Sequence, residues 1–220
     1  MGLSDTPTAG YGPRDFAADV RAAIRAAGYS DFVLFGHSMG VPISLELALT
    51  DASGIAALVL GDTPAQYIDF KRSGTFDGAI ARQPSFANWD EAFEGAAIRT
   101  DDPVADRARF DRVRHRYLLE RDGRITTSWS RQAIERTVEE SVDAATDYWD
   151  RLGSLTIPAL LLDATEAWTP MTDADVERYR RELPRLTVVA LPTGHDLGMS
   201  FPVRTEALFE ALRRFLIRPI

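Results

Sequence analysis

At 220 residues the chain fits one domain with an inserted subdomain, and its 45% apolar and 26% charged residues are ordinary for a soluble globular protein. The absence of cysteine excludes disulfides, thiolate chemistry and Cys-based metal sites, and a formal charge of −8 argues against a nucleic-acid surface. The amino-terminal MGLSDTPTAG has neither the basic start nor the apolar core of a signal peptide, and runs such as Ile55 to Leu60 are too short to cross a bilayer. A cytoplasmic protein with no nucleic-acid or membrane partner is the expectation.

Residues 1–13, rich in Gly, Pro, Ser and Thr, read as loop. Phe16, Val20 and Ile24 then recur every four residues, which predicts a helix over 14–27 with Gly28 ending it. The run Phe32-Val33-Leu34-Phe35 lacks polar alternation and suits a strand covered on both faces of a parallel sheet. A helix follows over about 40–50, with Pro42 in its first turn, where a missing N–H costs little. A second apolar run, Ala57 to Leu60, completes a strand–helix–strand unit with parallel strands. Residues 64–150 carry aromatics among many charges at helical spacing, with no clear strand, and read as a helical insertion. After Gly153 the spacing predicts a strand over 157–162, a helix over 174–183, a strand over 186–191 and an amphipathic helix holding Leu208, Leu212, Phe215 and Leu216. The expected class is α/β: a parallel sheet of about four strands, with residues 1–63 and 151–220 as the core and 64–150 as a helical cap.

Gly36-His37-Ser38-Met39-Gly40 matches G-x-S-x-G between a strand and a helix, the context in which that short pattern makes a nucleophile elbow. The sharp turn strains the Ser backbone and demands that side chains two residues away on either side be absent. It also aims the Met39 N–H and the helix amino terminus at any oxyanion formed beside Ser38. These residues resemble the elbow of the α/β-hydrolase family. Gly2-Leu3-Ser4-Asp5-Thr6-Pro7 with Gly10-Tyr11 is similar to the stretch upstream of that elbow, and Gly194-His195-Asp196 to the loop bearing the catalytic histidine. Val41 stands where the family often has another Gly.

The chain has three histidines. His37 lies beside the nucleophile and cannot swing back as its base, so it packs or lines the pocket. His115 sits in the charged run Arg112-Val113-Arg114-His115-Arg116 and reads as solvated. His195, on a loop after the last strand, is the candidate base. The resemblance leaves two positions open for the orienting acid. One follows the strand 157–162, where Ala167 stands in place of the usual Asp with Glu166 and Asp163 nearby. The other follows the strand after the elbow, where this chain has Asp62, the favoured choice, although an Asp there also caps the turn in relatives that use the other acid. Met39, His37 and Trp168 are candidate oxyanion or substrate contacts. The acidic pairs Asp101-Asp102 and Asp173/Asp175 read as solvated surface. No dinucleotide fingerprint or phosphate loop is present, so neither metal nor cofactor is implied.

The resemblance implies a serine hydrolase acting on a small-molecule ester, lactone or related acyl compound through Ser38, His195 and Asp62. It also places a second oxyanion N–H upstream of the first residue of this sequence. An amino-terminally truncated or split product is therefore expected, or one whose strand 32–35 is covered by another chain, as a homodimer or with a missing amino-terminal partner. Two alternatives stay open. One is a non-catalytic remnant or interaction subunit. The other is a cofactor-free dioxygenase of N-heteroaromatic rings, to which Arg112-Val113-Arg114-His115, the following Leu-Leu-Glu, Ala164-Thr165-Glu166 and the acid at Asp62 are similar.

Overall fold

In the computed structural model, residues 4–81, 84–95, 102–144, 147–166, 168–199 and 206–217 are described, so Gly2, Leu3, Asp101 and Ala167 lie outside the described residues. The elements in chain order begin with α1 (Pro13–Ala26), β1 (Phe32–His37), α2 (Gly40–Thr50) and β2 (Ile55–Gly61). Next come α3 (Phe70–Ser73), α4 (Asp77–Ala81), β3 (Ser85–Phe86), α5 (Trp89–Glu94), α6 (Pro103–Tyr117), β4 (Leu118–Arg121), β5 (Arg124–Thr127) and α7 (Arg131–Ala144). A 3₁₀ turn (Trp149–Ser154) leads to β6 (Ala159–Ala164), α8 (Asp173–Glu182), β7 (Leu186–Leu191) and α9 (Glu206–Ile217).

The chain divides into two compact units, one of residues 12–68 with 144–220 and one of residues 1–11 with 69–143. The boundaries differ from the expected 63/64 and 150/151, and the first eleven residues join the inserted unit. A bond within that unit explains why: one Glu140 carboxylate oxygen accepts the N–H groups of Gly10 (3.1 Å) and Tyr11 (2.7 Å), fastening the segment to α7.

The larger unit holds a four-stranded parallel sheet in the order β1-β2-β6-β7. Helix α1 ends as expected: Gly28 (φ +71°) reverses the chain while the Tyr29 N–H reaches Ile24 O and the Gly28 N–H reaches Arg25 O. Helix α2 is apolar on nearly every face, and Val41 through Ala48 are all buried. Strands β2 and β6 are covered on both faces, as a continuous apolar run predicts. Strand β1 is not. It is the outermost strand among the described residues, its burial alternates, and Val33 and Phe35 are 39% and 38% exposed. A core cluster of Val59, Leu160, Leu162, Leu191, Leu197 and Leu208 lies between the sheet and α9.

The inserted unit is not purely helical. It contains a three-stranded antiparallel sheet, β3-β5-β4, in which β4 and β5 form a hairpin closed by Asp122 and Gly123 at φ +52° and +71°. Two successive positive φ values are the signature of a two-residue hairpin turn, and Asp-Gly is among its preferred sequences. Among the described residues, no helix is long and apolar enough to cross a membrane.

The glycines of the elbow are not equivalent. A Cβ on Gly36 would press on the Gly40 carbonyl and stand 2.5 Å from Ser44 Oγ, whereas one on Gly40 would meet nothing within 4 Å. The expectation that both must lack side chains holds only for Gly36. Gly36→Ala should therefore lower thermal stability by about 1–3 kcal/mol, and Gly40→Ala should leave it unchanged or raise it by about 0.4–1 kcal/mol. Paired thermal melts check this, and equal losses for the two variants would contradict it.

Candidate active site

The elbow builds the first corner of the site. Strand β1 ends at His37, α2 starts at Gly40, and Ser38 between them takes φ +53°, a conformation that non-glycine residues adopt rarely and only where the surroundings hold it. The Ser38 N–H donates to Gly61 O (3.3 Å) and the Ser38 carbonyl accepts from the Val41 N–H (2.9 Å), pinning the turn to β2 on one side and to α2 on the other. Met39 caps α2, so its N–H belongs to the first-turn groups that have no intrahelical acceptor.

Asp62 supplies the second corner. It follows β2 directly, takes φ +48° and is fully buried, while its N–H continues the sheet by donating to Leu162 O (2.9 Å). Its carboxylate accepts the Ala164 N–H at Oδ1 (3.1 Å) and lies against the Thr169 hydroxyl at both oxygens (2.8 and 2.9 Å). Oδ2 stands 2.8 Å from His195 Nδ1.

His195 completes the set, with Nε2 3.0 Å from Ser38 Oγ. A carboxylate only accepts, so Nδ1 carries the proton and Nε2 offers its lone pair to the serine hydroxyl. The loop bearing His195 is held at several points. The His195 N–H donates to Trp168 O (3.2 Å), the His195 carbonyl faces His37 Nε2 at 2.6 Å, and the buried Leu197 (φ +54°) anchors the loop in the core. Gly61 makes room for this: a Cβ there would lie 2.9 Å from Leu197 Cδ1 and 3.2 Å from His37 Cδ2.

The structure thus brings Ser38, His195 and Asp62 into one hydrogen-bonded line. Glu166 is exposed, and its backbone N–H is committed to Thr193 O at 2.9 Å; among the described residues its carboxylate makes no bond to His195. Asp163 sits within β6, half-buried, where burial and then the charges of Asp62 and Asp173 push its carboxyl up. The exposed Trp168 ring lies edge-on to the His195 imidazole at 5.3 Å between centroids. His37, expected to pack or line the pocket and a candidate oxyanion or substrate contact, donates its Nε2–H to the His195 carbonyl. His115 is exposed beside Trp89, Asp102 caps α6, and Asp175 closes a capping box with Thr172. Thr169 is not legible as a site residue, since nothing in Trp-Thr-Pro marks a threonine that meets a carboxylate more than a hundred residues away.

The chain belongs to the α/β hydrolase fold family, whose model matches residues 1–202. None of the curated proteins matches it in sequence. Among solved structures it is similar to E-2-(acetamidomethylene)succinate hydrolase, with 22% identity and a TM-score of 0.72 over 98% of this chain and 78% of that one. An α/β hydrolase from Novosphingobium aromaticivorans gives 23% identity and a TM-score of 0.67 over 97% and 76% of the two chains. An esterase from Rhodococcus sp. ECU1013 gives 17% and 0.60 over 99% and 77%. At these identities the likeness is one of fold.

Burial lowers the His37 pKa from its ordinary 6.5, with the His195 carbonyl bond opposing, which favours the neutral ring beside His195. As pH falls, the unfolded chain takes up a proton at His37 before the folded chain does. This contribution to stability is therefore lost progressively below the ordinary His value. Between pH 6.5 and about pH 5, the melting temperature of the wild type should fall more steeply than that of His37→Gln. A slope no steeper than the variant's would show that the ring is not held neutral.

Proposed function

We propose that this protein is a serine hydrolase acting on a small ester, lactone or related acyl substrate. The observation that carries this reading is the continuous contact from Ser38 Oγ through His195 to the buried Asp62 carboxylate. Esterases and hydrolases among the proteins of similar fold are consistent with it. In this reading His195 Nε2 takes the Ser38 proton as Oγ attacks the acyl carbon. Asp62 holds the imidazole in the required tautomer and stabilises the imidazolium. The Met39 N–H and the amino terminus of α2 face the oxygen that gains charge. The imidazolium then gives its proton to the leaving alcohol, and water, deprotonated by the same nitrogen, releases the acid. Trp168, exposed beside His195, is the side chain proposed to meet the substrate.

A fluorophosphonate probe should label the wild type and spare Ser38→Ala. Hydrolysis of p-nitrophenyl acetate should fall about ten-thousand-fold in Asp62→Asn, by loss of the tautomer, and stay near wild type in Glu166→Gln. No labelling of the wild type would favour a non-catalytic role. Oxygen uptake with a hydroxyquinolone that survives Ser38→Ala would favour the dioxygenase chemistry.

The outer edge of β1 belongs to the same proposal. Among the described residues it pairs with no strand on that side, and its N–H and C=O groups are flanked by exposed Val33 and Phe35. Proteins cover edges of this kind, so a strand from a second polypeptide pairs there. Light scattering after size exclusion should find an assembly larger than the monomer, or aggregation of the isolated chain. A stable monomer at micromolar concentration would contradict the pairing.

A further inference from the structure

Resting on the serine-hydrolase reading, we propose that Thr169 is a positioning residue that sets the plane of the Asp62 carboxylate, and that the segment Trp168-Thr169 grips the acid and the base together. The Thr169 hydroxyl oxygen already accepts the Met171 N–H at 3.1 Å, so its own proton is directed at Asp62, 2.8 Å from Oδ1 and 2.9 Å from Oδ2. A carboxylate is free to turn about its last torsion, whose wells are broad. Here the Ala164 N–H holds Oδ1 and the Thr169 O–H bridges Oδ1 and Oδ2, which fixes the carboxylate plane with Oδ2 facing His195 Nδ1. One residue earlier, the Trp168 carbonyl accepts the His195 N–H, and its ring lies against the imidazole. The segment is itself fixed, following β6 and leading through Pro170 and the Thr172 capping box into α8. The loop that carries the unused Glu166 therefore positions both partners of a dyad whose acid comes from another strand.

Removing the hydroxyl has two separable effects. The carboxylate plane loosens, which slows proton transfer, and the carboxylate loses a donor, which makes it a stronger partner for the imidazolium. The second effect raises the proton affinity of His195. The other titratable groups near the pair are His37 at the end of β1, Asp163 in β6 and Asp196 beside His195, and none of them bonds to Thr169 among the described residues.

The test compares Thr169→Val, which keeps the shape and drops the hydroxyl, with Thr169→Ser, which keeps the hydroxyl, using p-nitrophenyl acetate as the probe. Thr169→Val should lower kcat about tenfold, change KM little and move the acidic limb of kcat/KM to higher pH. Thr169→Ser should restore both. Wild-type kinetics in Thr169→Val, or equal impairment in Thr169→Ser, would overturn the proposal. Should turnover prove independent of Ser38, the serine-hydrolase reading fails while this proposal is read from proton NMR. The low-field Nδ1–H resonance of His195 should shift or broaden in Thr169→Val and return in Thr169→Ser. A resonance unmoved in Thr169→Val would overturn the assignment.

Discussion

A carboxylate with no exposure to water has to be surrounded by donors, and Asp62 sets that requirement at the centre of this fold. Its donors come from three places: the last residue of β6, the loop after β6, and the loop after β7. None of them is near Asp62 in sequence. They meet there because β2 lies between β1 and β6, so that Asp62 emerges at the carboxyl ends of adjacent parallel strands. The sheet order thus places the elbow serine on one side of the acid and its hydrogen-bond donors on the other.

Three residues at this end of the sheet, Ser38, Asp62 and Leu197, hold positive φ without being glycine. Such conformations persist only where neighbouring contacts over-determine them. Ser38 is tied to Gly61 O, Asp62 to Leu162 O, and Leu197 is packed among Val59, Leu160 and Leu191. Gly61 links the three, since its missing side chain leaves the space that His37 and Leu197 both enter. Through His37 the strand that leads to Ser38 reaches the His195 carbonyl, so elbow and histidine loop are braced against each other.

The surroundings of Asp62 follow from the same packing. The backbone after β6 pairs with the Thr193 carbonyl at Glu166 and directs that side chain outward, while Trp168 and Thr169 turn their polar groups inward to His195 and Asp62. The carboxylate in contact with His195 thus comes from the end of β2 and not from this loop. In the inserted unit a comparable economy appears at Glu140, where one oxygen secures two successive N–H groups of the amino-terminal segment.

The order of strands and helices in the larger unit and the strand–turn–helix around Ser38 are legible in the sequence because they rest on short-range rules: apolar runs, glycine at a tight turn, a helix amino terminus after the turn. The hairpin of β4 and β5 is equally local, and a purely helical reading of the insertion overlooks the signal that Asp122-Gly123 carries. Other features have no local signal at all. The bond from His37 to a backbone carbonyl, the bond from Thr169 to Asp62 and the attachment of residues 4–11 to α7 all depend on groups far apart in sequence. So does the exposure of Val33 and Phe35, which composition alone reads as buried. Local sequence determines which backbone shapes a segment can adopt; which buried polar group meets which partner is decided only when strands from opposite ends of the chain are laid side by side.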